Sequence, residues 1–242
     1  MSADHRIRQA LCGLVLVLVI AGPGLAAPPE LTGIWMPTAI GPDGVRNRTW
    51  PEAPPFHADI QRQVDAYFAT YDPIEDDEGR SCLPYGLPRQ MLLTAQYPLE
   101  IIHAGELLTI IYELHNDYRH VFLDGRDHPE GLLPTWMGHS VGRFEGDSLV
   151  IETQGLRTLG PPRPQSPALT VTERIAPVEG GERGEMISVD ITIDDPLIYR
   201  EPFTVRNYFI RQTDIEMGEY FCSDDLWQQN LSGDESLLPW RE

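Results

Sequence analysis

The feature that most constrains the fold is a polar–apolar alternation with a period of two, which runs through most of the second half of the chain. Within 185–194, every odd-numbered residue from Ile187 to Ile193 is isoleucine or valine, whereas the residues between them are polar. This period is typical of β-strands with one buried face. Eight segments are predicted as strands on this basis: 99–103, 107–114, 118–124, 139–145, 148–155, 168–176, 185–194 and 203–211. A closed barrel buries such a face and leaves no open sheet edge.

Most connections between these segments are short and contain turn residues, as in Gly146-Asp147. Because short connections join antiparallel neighbours, the sequence predicts a mainly β fold, in which an antiparallel meander closes into a barrel. A further strand is predicted at 31–35. One N-terminal helix is predicted at 57–70, where apolar residues fall at helical spacing. A short C-terminal helix is predicted at 223–229.

The first 26 residues are predicted to be a secretory signal peptide, followed by a single domain at 27–242. Arg6 and Arg8 give a positive start, and the apolar run 11–20 that follows is too short to span a bilayer. Gly24 and Ala26 place small residues at both recognition positions, so we predict cleavage after Ala26. The mature protein would then be periplasmic or secreted, without stable membrane insertion. An uncleaved membrane anchor is the alternative.

Cleavage there would leave two cysteines, Cys82 and Cys222. In an exported protein an even pair suggests a disulfide. The disulfide would tie the region before the first central strand to the end of the chain. Two separate buried thiols are the alternative.

The chain is strongly acidic, with 37 Asp and Glu against 18 basic residues, all of them arginine. A formal net charge of −19 disfavours binding to nucleic-acid phosphates or to an anionic membrane. Because the chain has no lysine, a Schiff-base lysine, a phosphate-binding P-loop lysine and a kinase-type lysine are excluded. We predict no cofactor and no metal, and any cationic role inside the barrel must fall to arginine. The sequence does not predict an oligomeric state.

Two resemblances add to this interpretation. The segment 31–35 (LTGIW), ahead of a strand meander, resembles the start of a lipocalin-like chain. In lipocalins a Gly-x-Trp motif opens the first strand and the Trp closes the base of the barrel, so the resemblance implies a lipocalin-like barrel.

The second resemblance is to a family of exported bacterial proteins whose members are mostly named hypothetical. It covers about 75–225 and implies no function or catalytic residue. The runs that carry it are CLPYGLPRQM (82–91), YPLEI (97–101), FLDGRDHP (122–129), TWMGHSVGRFEGDSLVIET (135–153) and ITIDDPLIYREPF (191–203).

Polar side chains on the predicted strands are candidates for ligand contact, because a polar group inside a barrel must be paired or must bind a ligand. Glu173, for example, shares a face with Val171 and Ile175. Arginine is well suited to hold a carboxylate or an enolate oxygen. The candidate ligand-binding residues are Arg89, Glu100, Arg143, Glu173, Arg174 and Trp136. The alternatives are outward-facing ion pairs for the strand residues, a loop anchor for Arg89, and core or rim packing for Trp136.

Three residues are candidates for acid–base catalysis: His139, Arg119 and Tyr112. His139 lies at the start of a predicted strand, next to a loop, and a histidine at a barrel mouth can act as an acid or base near neutral pH. Arg119 and Tyr112 would stabilise an oxyanion. The alternative for His139 is a hydrogen bond to a loop backbone.

Two other patterns are weaker. His115, His120 and His128 lie close in sequence but match no zinc spacing, so solvated turn residues are favoured. The segment 138–142 (GHSVG) fits the pattern G-x-S-x-G, but a β-hairpin follows it instead of a helix, and His139 is the last histidine in the chain. A serine hydrolase of the α/β type is therefore disfavoured.

These observations lead to a leading hypothesis, an exported lipocalin-like barrel that binds a small, partly hydrophobic ligand. The alternative is a cofactor-independent hydratase, isomerase or cyclase that uses acid–base catalysis on a small substrate inside the barrel. A third hypothesis is an envelope interaction module without a small-molecule site. The enzyme hypothesis requires that His139 face the barrel interior.

Overall fold

The computed structural model describes residues 29–38, 40–42, 44, 50–72, 76, 82–92 and 97–222. The predicted signal peptide and the predicted C-terminal helix lie outside these residues. The strands are β1 (Gly33–Thr38), β2 (Leu99–Ala104), β3 (Leu107–Tyr112), β4 (Tyr118–Phe122), β5 (His139–Glu145), β6 (Ser148–Gln154), β7 (Thr170–Glu179), β8 (Glu185–Asp194) and β9 (Phe203–Gln212). The helices are α1 (Ala58–Thr70) and α2 (Arg89–Leu92), with 3₁₀ turns at Leu114–Asn116 and Gly181–Arg183. Within the described ranges, no helix is long and apolar enough to cross a bilayer.

The nine strands form a closed barrel in chain order. β1 closes the barrel by pairing with both β2 and β9, so the sheet has no open edge. Eight of the nine pairings are antiparallel, and β4 with β5 is the parallel one. The long connection 123–138 allows the parallel pairing of β4 with β5, because a parallel pair needs a crossover from one end of the sheet to the other. The prediction of a mainly β, lipocalin-like barrel is confirmed, whereas the parallel pair was not predicted.

The barrel interior is filled by the apolar side chains that the alternation predicts. On β7 the buried residues are Val171, Glu173 and Ile175, and on β8 the row from Ile187 to Ile193 is also buried. Glu173 therefore points inward with its apolar neighbours, as its position in the strand predicts. The interior is a packed apolar core, and Glu173 is the charged residue that β7 contributes to it.

Trp35 closes the base of the barrel. Its indole Nε1–H donates to the carbonyl oxygen of Leu31 (2.8 Å), and the guanidinium of Arg211 stacks 4.3 Å from the indole ring centre. Arg211 also donates to the carbonyl oxygen of Glu30 (2.8 Å). Gly33 has a φ of 135°, and a Cβ there would lie 2.5 Å from Nη1 of Arg211. Only glycine fits this position of the Gly-x-Trp motif.

At the opposite end, residues 82–92 close the barrel mouth; we call this segment the mouth plug. Leu87 and Met91 are buried in the barrel core. Asn207, on the inner face of β9, donates from Nδ2 to the carbonyl oxygen of Met91 (2.6 Å), and Gln90 donates to the carbonyl oxygen of Leu114 (3.0 Å). The plug is therefore fastened to the barrel by packing and by side-chain hydrogen bonds.

A disulfide joins Cys82, at the start of the plug, to Cys222. The predicted disulfide is confirmed. Near this bond, Asn116 donates to the carbonyl oxygen of Tyr220 (2.7 Å), and the Tyr220 amide donates to Oδ1 of Asn116 (3.1 Å). The segment that follows β9 is thus held against the mouth end of the barrel.

Candidate functional site

A buried ion pair lies inside the barrel. Arg119 on β4 donates from Nη1 and Nη2 to the two carboxylate oxygens of Glu173 on β7, at 2.5 and 2.8 Å, and both side chains are almost fully buried. Nη1 of Arg119 also contacts Oγ1 of Thr153 (3.4 Å), which in turn bonds Oγ of Ser140 (2.8 Å). The structure thus brings together two of the candidate residues in a bidentate pair, the strongest geometry for an arginine and a carboxylate.

Tyr112 lies beside this pair and is fully buried. Burial raises the pKa of Tyr112 well above its ordinary value. Burial opposes the charge of Arg119, but Glu173 and Tyr112 outweigh that effect and raise the pKa of the guanidinium. Arg119 only partly offsets the effect of burial on the pKa of the Tyr112 phenol. Both groups therefore keep their protons at neutral pH.

The groups of the interior cluster are bonded to one another. Both oxygens of Glu173 accept hydrogen bonds from Arg119, which holds the carboxylate in one orientation. Ser140, the serine of GHSVG, is buried in the barrel and bonded to Thr153. It therefore does not occupy the exposed strand-to-helix turn of a hydrolase nucleophile.

His139 lies on the outer wall of the barrel, because the next residue, Ser140, points inward. Its Nδ1 is 2.9 Å from Nδ1 of His128, and its ring stacks on Phe122 with centroids 5.2 Å apart. Burial, and then the neighbouring His128, lowers the pKa of His139. Nε2 of His128 lies 3.5 Å from the carboxylate of Glu152. The acid–base role inside the barrel expected for His139 is therefore not supported by its position.

Three of the expected ligand contacts also lie on the outer wall. Arg143 on β5 and Arg174 on β7 both pair with Glu145. Glu100 alternates with the buried residues Leu99 and Ile101 of β2 and is half-buried on the opposite face. The Arg143–Glu145 pair lies within β5, whereas the Arg174–Glu145 pair joins β7 to β5. None of the three residues lines the cavity at the mouth.

The three histidines that lie close in sequence do not converge. His120 is exposed on the outer wall, whereas His115 packs between the rings of Tyr85 and Tyr220. His128 pairs with the last histidine of the chain. Among the residues that the structure describes, no three His, Cys, Asp or Glu side chains are arranged to hold a metal ion.

A cavity of about 190 Å³ lies at the barrel mouth, between the mouth plug and the loops 155–169 and 195–202; we call it the mouth cavity. Two of the predicted ligand-binding residues, Arg89 and Trp136, line it. Further residues in its wall are Trp50, Leu83, Pro84, Tyr85, Pro88, Leu159, Pro161, Arg163, Pro164, Leu169 and Tyr199. The cavity is mostly apolar, with a small number of polar groups, which is the usual composition of a small-molecule site.

Backbone hydrogen bonds hold the cavity wall in place. The Leu87 amide donates to the carbonyl oxygen of Trp136 (3.0 Å), which couples the plug to the loop before β5. Leu159 and Gln165 exchange backbone hydrogen bonds of 3.0 and 3.1 Å, which close the loop that carries Arg163. On the outside of the wall, the guanidinium of Arg157 lies 4.7 Å from the Trp136 ring centre.

Sequence reasoning missed Arg163, Tyr85, Trp50 and Tyr199 as cavity residues. They come from loops, which have no periodicity that would show which way a side chain points. The one available signal was the proline- and arginine-rich run 161–164 (PPRP), because prolines in a loop indicate a fixed backbone.

Asp117, just before β4, is a half-buried acid near the mouth end of the barrel. Its Oδ2 is buried and accepts no hydrogen bond within the described residues. Burial raises the pKa of Asp117 from 3.8 to about 6. Between pH 3.8 and about 6, the Asp117 carboxyl is protonated in the folded protein and ionised in the unfolded chain. The contribution of Asp117 to the free energy of unfolding is therefore fully present below pH 3.8 and is lost as the pH rises through 6.

We expect Asp117→Asn to be more stable than the unchanged protein at about pH 7 and nearly equal to it at about pH 4. Asparagine is neutral at both values, so it avoids the cost of ionising a buried carboxyl. The expected gain is on the order of 1 kcal/mol, after allowance for partial solvent screening. Urea unfolding of both proteins across this pH range measures it. A stability difference that does not change with pH would contradict the assignment.

No protein-family model and no curated protein matches the chain. Among solved structures, the chain is similar to one described as the "REP1-NXSQ fatty acid transporter". The two are 14% identical, the match covers 77% of this chain and 98% of that chain, and the TM-score is 0.38. A similarity at this level says nothing about what this chain binds.

Proposed function

We propose that this protein binds a small, partly apolar molecule in the mouth cavity. The observation that carries the proposal is the cavity itself, since it lies at the mouth of a closed barrel and combines aromatic and aliphatic walls with two guanidinium groups. Ligand sites occur preferentially at barrel mouths and have this composition. The packed interior below the plug supports a site at the mouth in preference to one inside the barrel.

The proposal includes export to an oxidising compartment, periplasmic or extracellular. The disulfide between Cys82 and Cys222 supports it, because such bonds persist where thiols are not kept reduced. The acid–base enzyme remains a second candidate only in a form that does not depend on His139. No Asp, Glu or His is among the described residues that line the mouth cavity.

We expect Trp136→Ala to weaken the binding of an aromatic probe by about tenfold, because it removes one of the large aromatic rings that line the cavity. The probe is 2-naphthamide, which is neutral and flat, and isothermal titration calorimetry measures its affinity without relying on tryptophan fluorescence.

The matched control is Tyr118→Ala, which removes an exposed ring from the outer wall of the barrel. It should leave the affinity unchanged. If 2-naphthamide and its carboxylate analogue 2-naphthoate both fail to bind, or if the two variants weaken binding equally, the mouth cavity is not the binding site.

A further inference from the structure

Aromatic rings form much of the wall of the mouth cavity. Four of the residues that line it carry such rings: Trp50, Tyr85, Trp136 and Tyr199. They come from four separate parts of the chain, namely the segment before α1, the mouth plug, the connection 123–138 and the loop 195–202. Because the fold brings rings from distant segments to one cavity, a bound molecule meets aromatic surface from more than one of them.

Contacts with other aromatic side chains fix two of these rings. The ring centre of Trp50 lies 5.5 Å from that of Phe203, at an interplanar angle of 84°. Tyr199 lies 4.9 Å from the same Phe203 ring, at 78°, and stacks on the buried Phe56 at 5.1 Å. Edge-to-face and stacked arrangements are the favoured geometries of aromatic pairs. The protein itself therefore sets the positions of Trp50 and Tyr199.

Each of the other two rings is stacked against a guanidinium. Arg89 lies 3.5 Å from the ring centre of Tyr85, and Arg157 lies 4.7 Å from that of Trp136. The carbonyl oxygen of Trp136 also accepts the hydrogen bond from the Leu87 amide. A cation over a ring face is attracted to it and holds the ring in its orientation. All four rings of the wall are thus held in place by their neighbours.

Prolines limit how far the wall can adapt to a ligand. Pro84 and Pro88 of the mouth plug, and Pro161 and Pro164 of the loop 155–169, line the cavity. Proline fixes the backbone dihedral φ, so these segments change shape less readily than other loops. The volume of about 190 Å³ is larger than the roughly 150 Å³ of an engineered apolar cavity that binds benzene. The mouth cavity therefore has room for a ligand of one or two rings.

An aromatic ligand gains more from this wall than a saturated ligand of the same skeleton. The two bury similar apolar areas, but each aromatic pair contributes beyond area burial, by about two- to tenfold in affinity. Contact with two of the rings would favour the aromatic ligand by about tenfold.

From these observations we propose that the mouth cavity selects flat aromatic molecules of one or two rings, an inference that rests on the proposed function. Trp50, Trp136 and Tyr199 are the specificity-determining residues, because they present rings whose positions are already fixed. The selection is for ring character and not for charge.

The test compares 2-naphthamide with decahydronaphthalene-2-carboxamide, which has the same carbon skeleton and the same amide but no aromatic ring. We expect the unchanged protein to bind the aromatic amide about tenfold more tightly in isothermal titration calorimetry. The comparison is repeated with the two corresponding carboxylates, so that the result does not depend on the charge of the probe.

Two substitutions of tryptophan test the role of the rings. Trp50→Leu and Trp136→Leu keep an apolar side chain but remove a ring, so each should reduce the preference by about threefold. The two substitutions combined should remove most of it, whereas Trp50→Phe should retain most of it.

The matched control is Leu83→Ala, which removes apolar contact from the cavity without removing a ring. It should weaken the aromatic and the saturated probe by the same factor and leave the preference unchanged. Thermal unfolding of each variant verifies that it is folded. Equal affinity for the aromatic and the saturated probes, or a preference that the combined tryptophan substitutions leave unchanged, would overturn this inference while leaving the proposed function standing. If none of the four probes binds, the two proposals fail together.

Discussion

Glu173→Leu is expected to lower the free energy of unfolding by about 3–5 kcal/mol, because it leaves the guanidinium of Arg119 buried in the barrel without its anion. For a chain of this size the loss corresponds to a fall in Tm of about 6–20 °C. Urea unfolding followed by circular dichroism measures the free energy, with the disulfide intact.

The double variant Glu173→Leu with Arg119→Met should regain most of that stability. A buried ion pair replaced by apolar side chains of similar volume is often neutral or stabilising, whereas removal of one partner is not. The matched control is Glu145→Leu, which removes the shared carboxylate of two surface ion pairs and should cost at most about 1 kcal/mol. If the double variant is as unstable as the single one, the pair is not the source of the effect.

Alternation predicted much of the barrel from sequence, because every second residue of a strand with one buried face is apolar and so indicates which face is buried. The segments 139–145 and 185–194 were predicted with the bounds that the structure shows, and the inward position of Glu173 followed from its apolar neighbours on the same face. The Gly-x-Trp motif placed Trp35 at the base, where its indole and Arg211 close the barrel.

The same alternation gave no clear answer for β5, and this left the orientation of His139 open. One face of this strand begins with His139 and the other with Ser140, and Gly142 and Phe144 share the second face. A glycine and a serine carry too little apolar character to identify the buried face from sequence. A shift of one residue reverses the orientation of every side chain, so the sequence alone could not place His139 on the outer wall.

Contacts between distant parts of the chain could not be predicted in the same way. The parallel pairing of β4 and β5 depends on the path of the irregular connection 123–138, and the mouth plug is fastened through single hydrogen bonds such as that from Asn207 to Met91. Of the cavity residues, Arg89 and Trp136 were found because they stand out chemically, whereas Arg163 and Tyr199 depend on how their loops fold. Loops lack the polar–apolar alternation from which the orientation of a strand residue can be predicted.

Loss of the disulfide is expected to affect stability and ligand binding together. Cys82 and Cys222 are 140 residues apart in sequence, and closing so long a loop stabilises the folded state by about 5 kcal/mol in the chain-entropy model. Cys82 also begins the mouth plug, whose residues Leu83 and Tyr85 line the mouth cavity. We therefore expect the Cys82→Ser, Cys222→Ser double variant to unfold at a lower urea concentration and to bind 2-naphthamide at least tenfold more weakly.

Reduction of the unchanged protein provides an independent version of the same experiment, because it breaks the disulfide without any amino-acid substitution. If both effects arise from the bond, reduced protein and serine variant should agree in stability and in affinity.

The effects on stability and on ligand binding can also be separated. Trp136→Ala leaves the disulfide in place and should weaken binding with little change in the contribution of the bond to stability. A serine variant that loses stability but binds 2-naphthamide normally would show that the plug holds its position without the bond, through Leu87, Met91 and the hydrogen bond from Asn207. The disulfide would then act on the unfolded chain alone and have no part in forming the site.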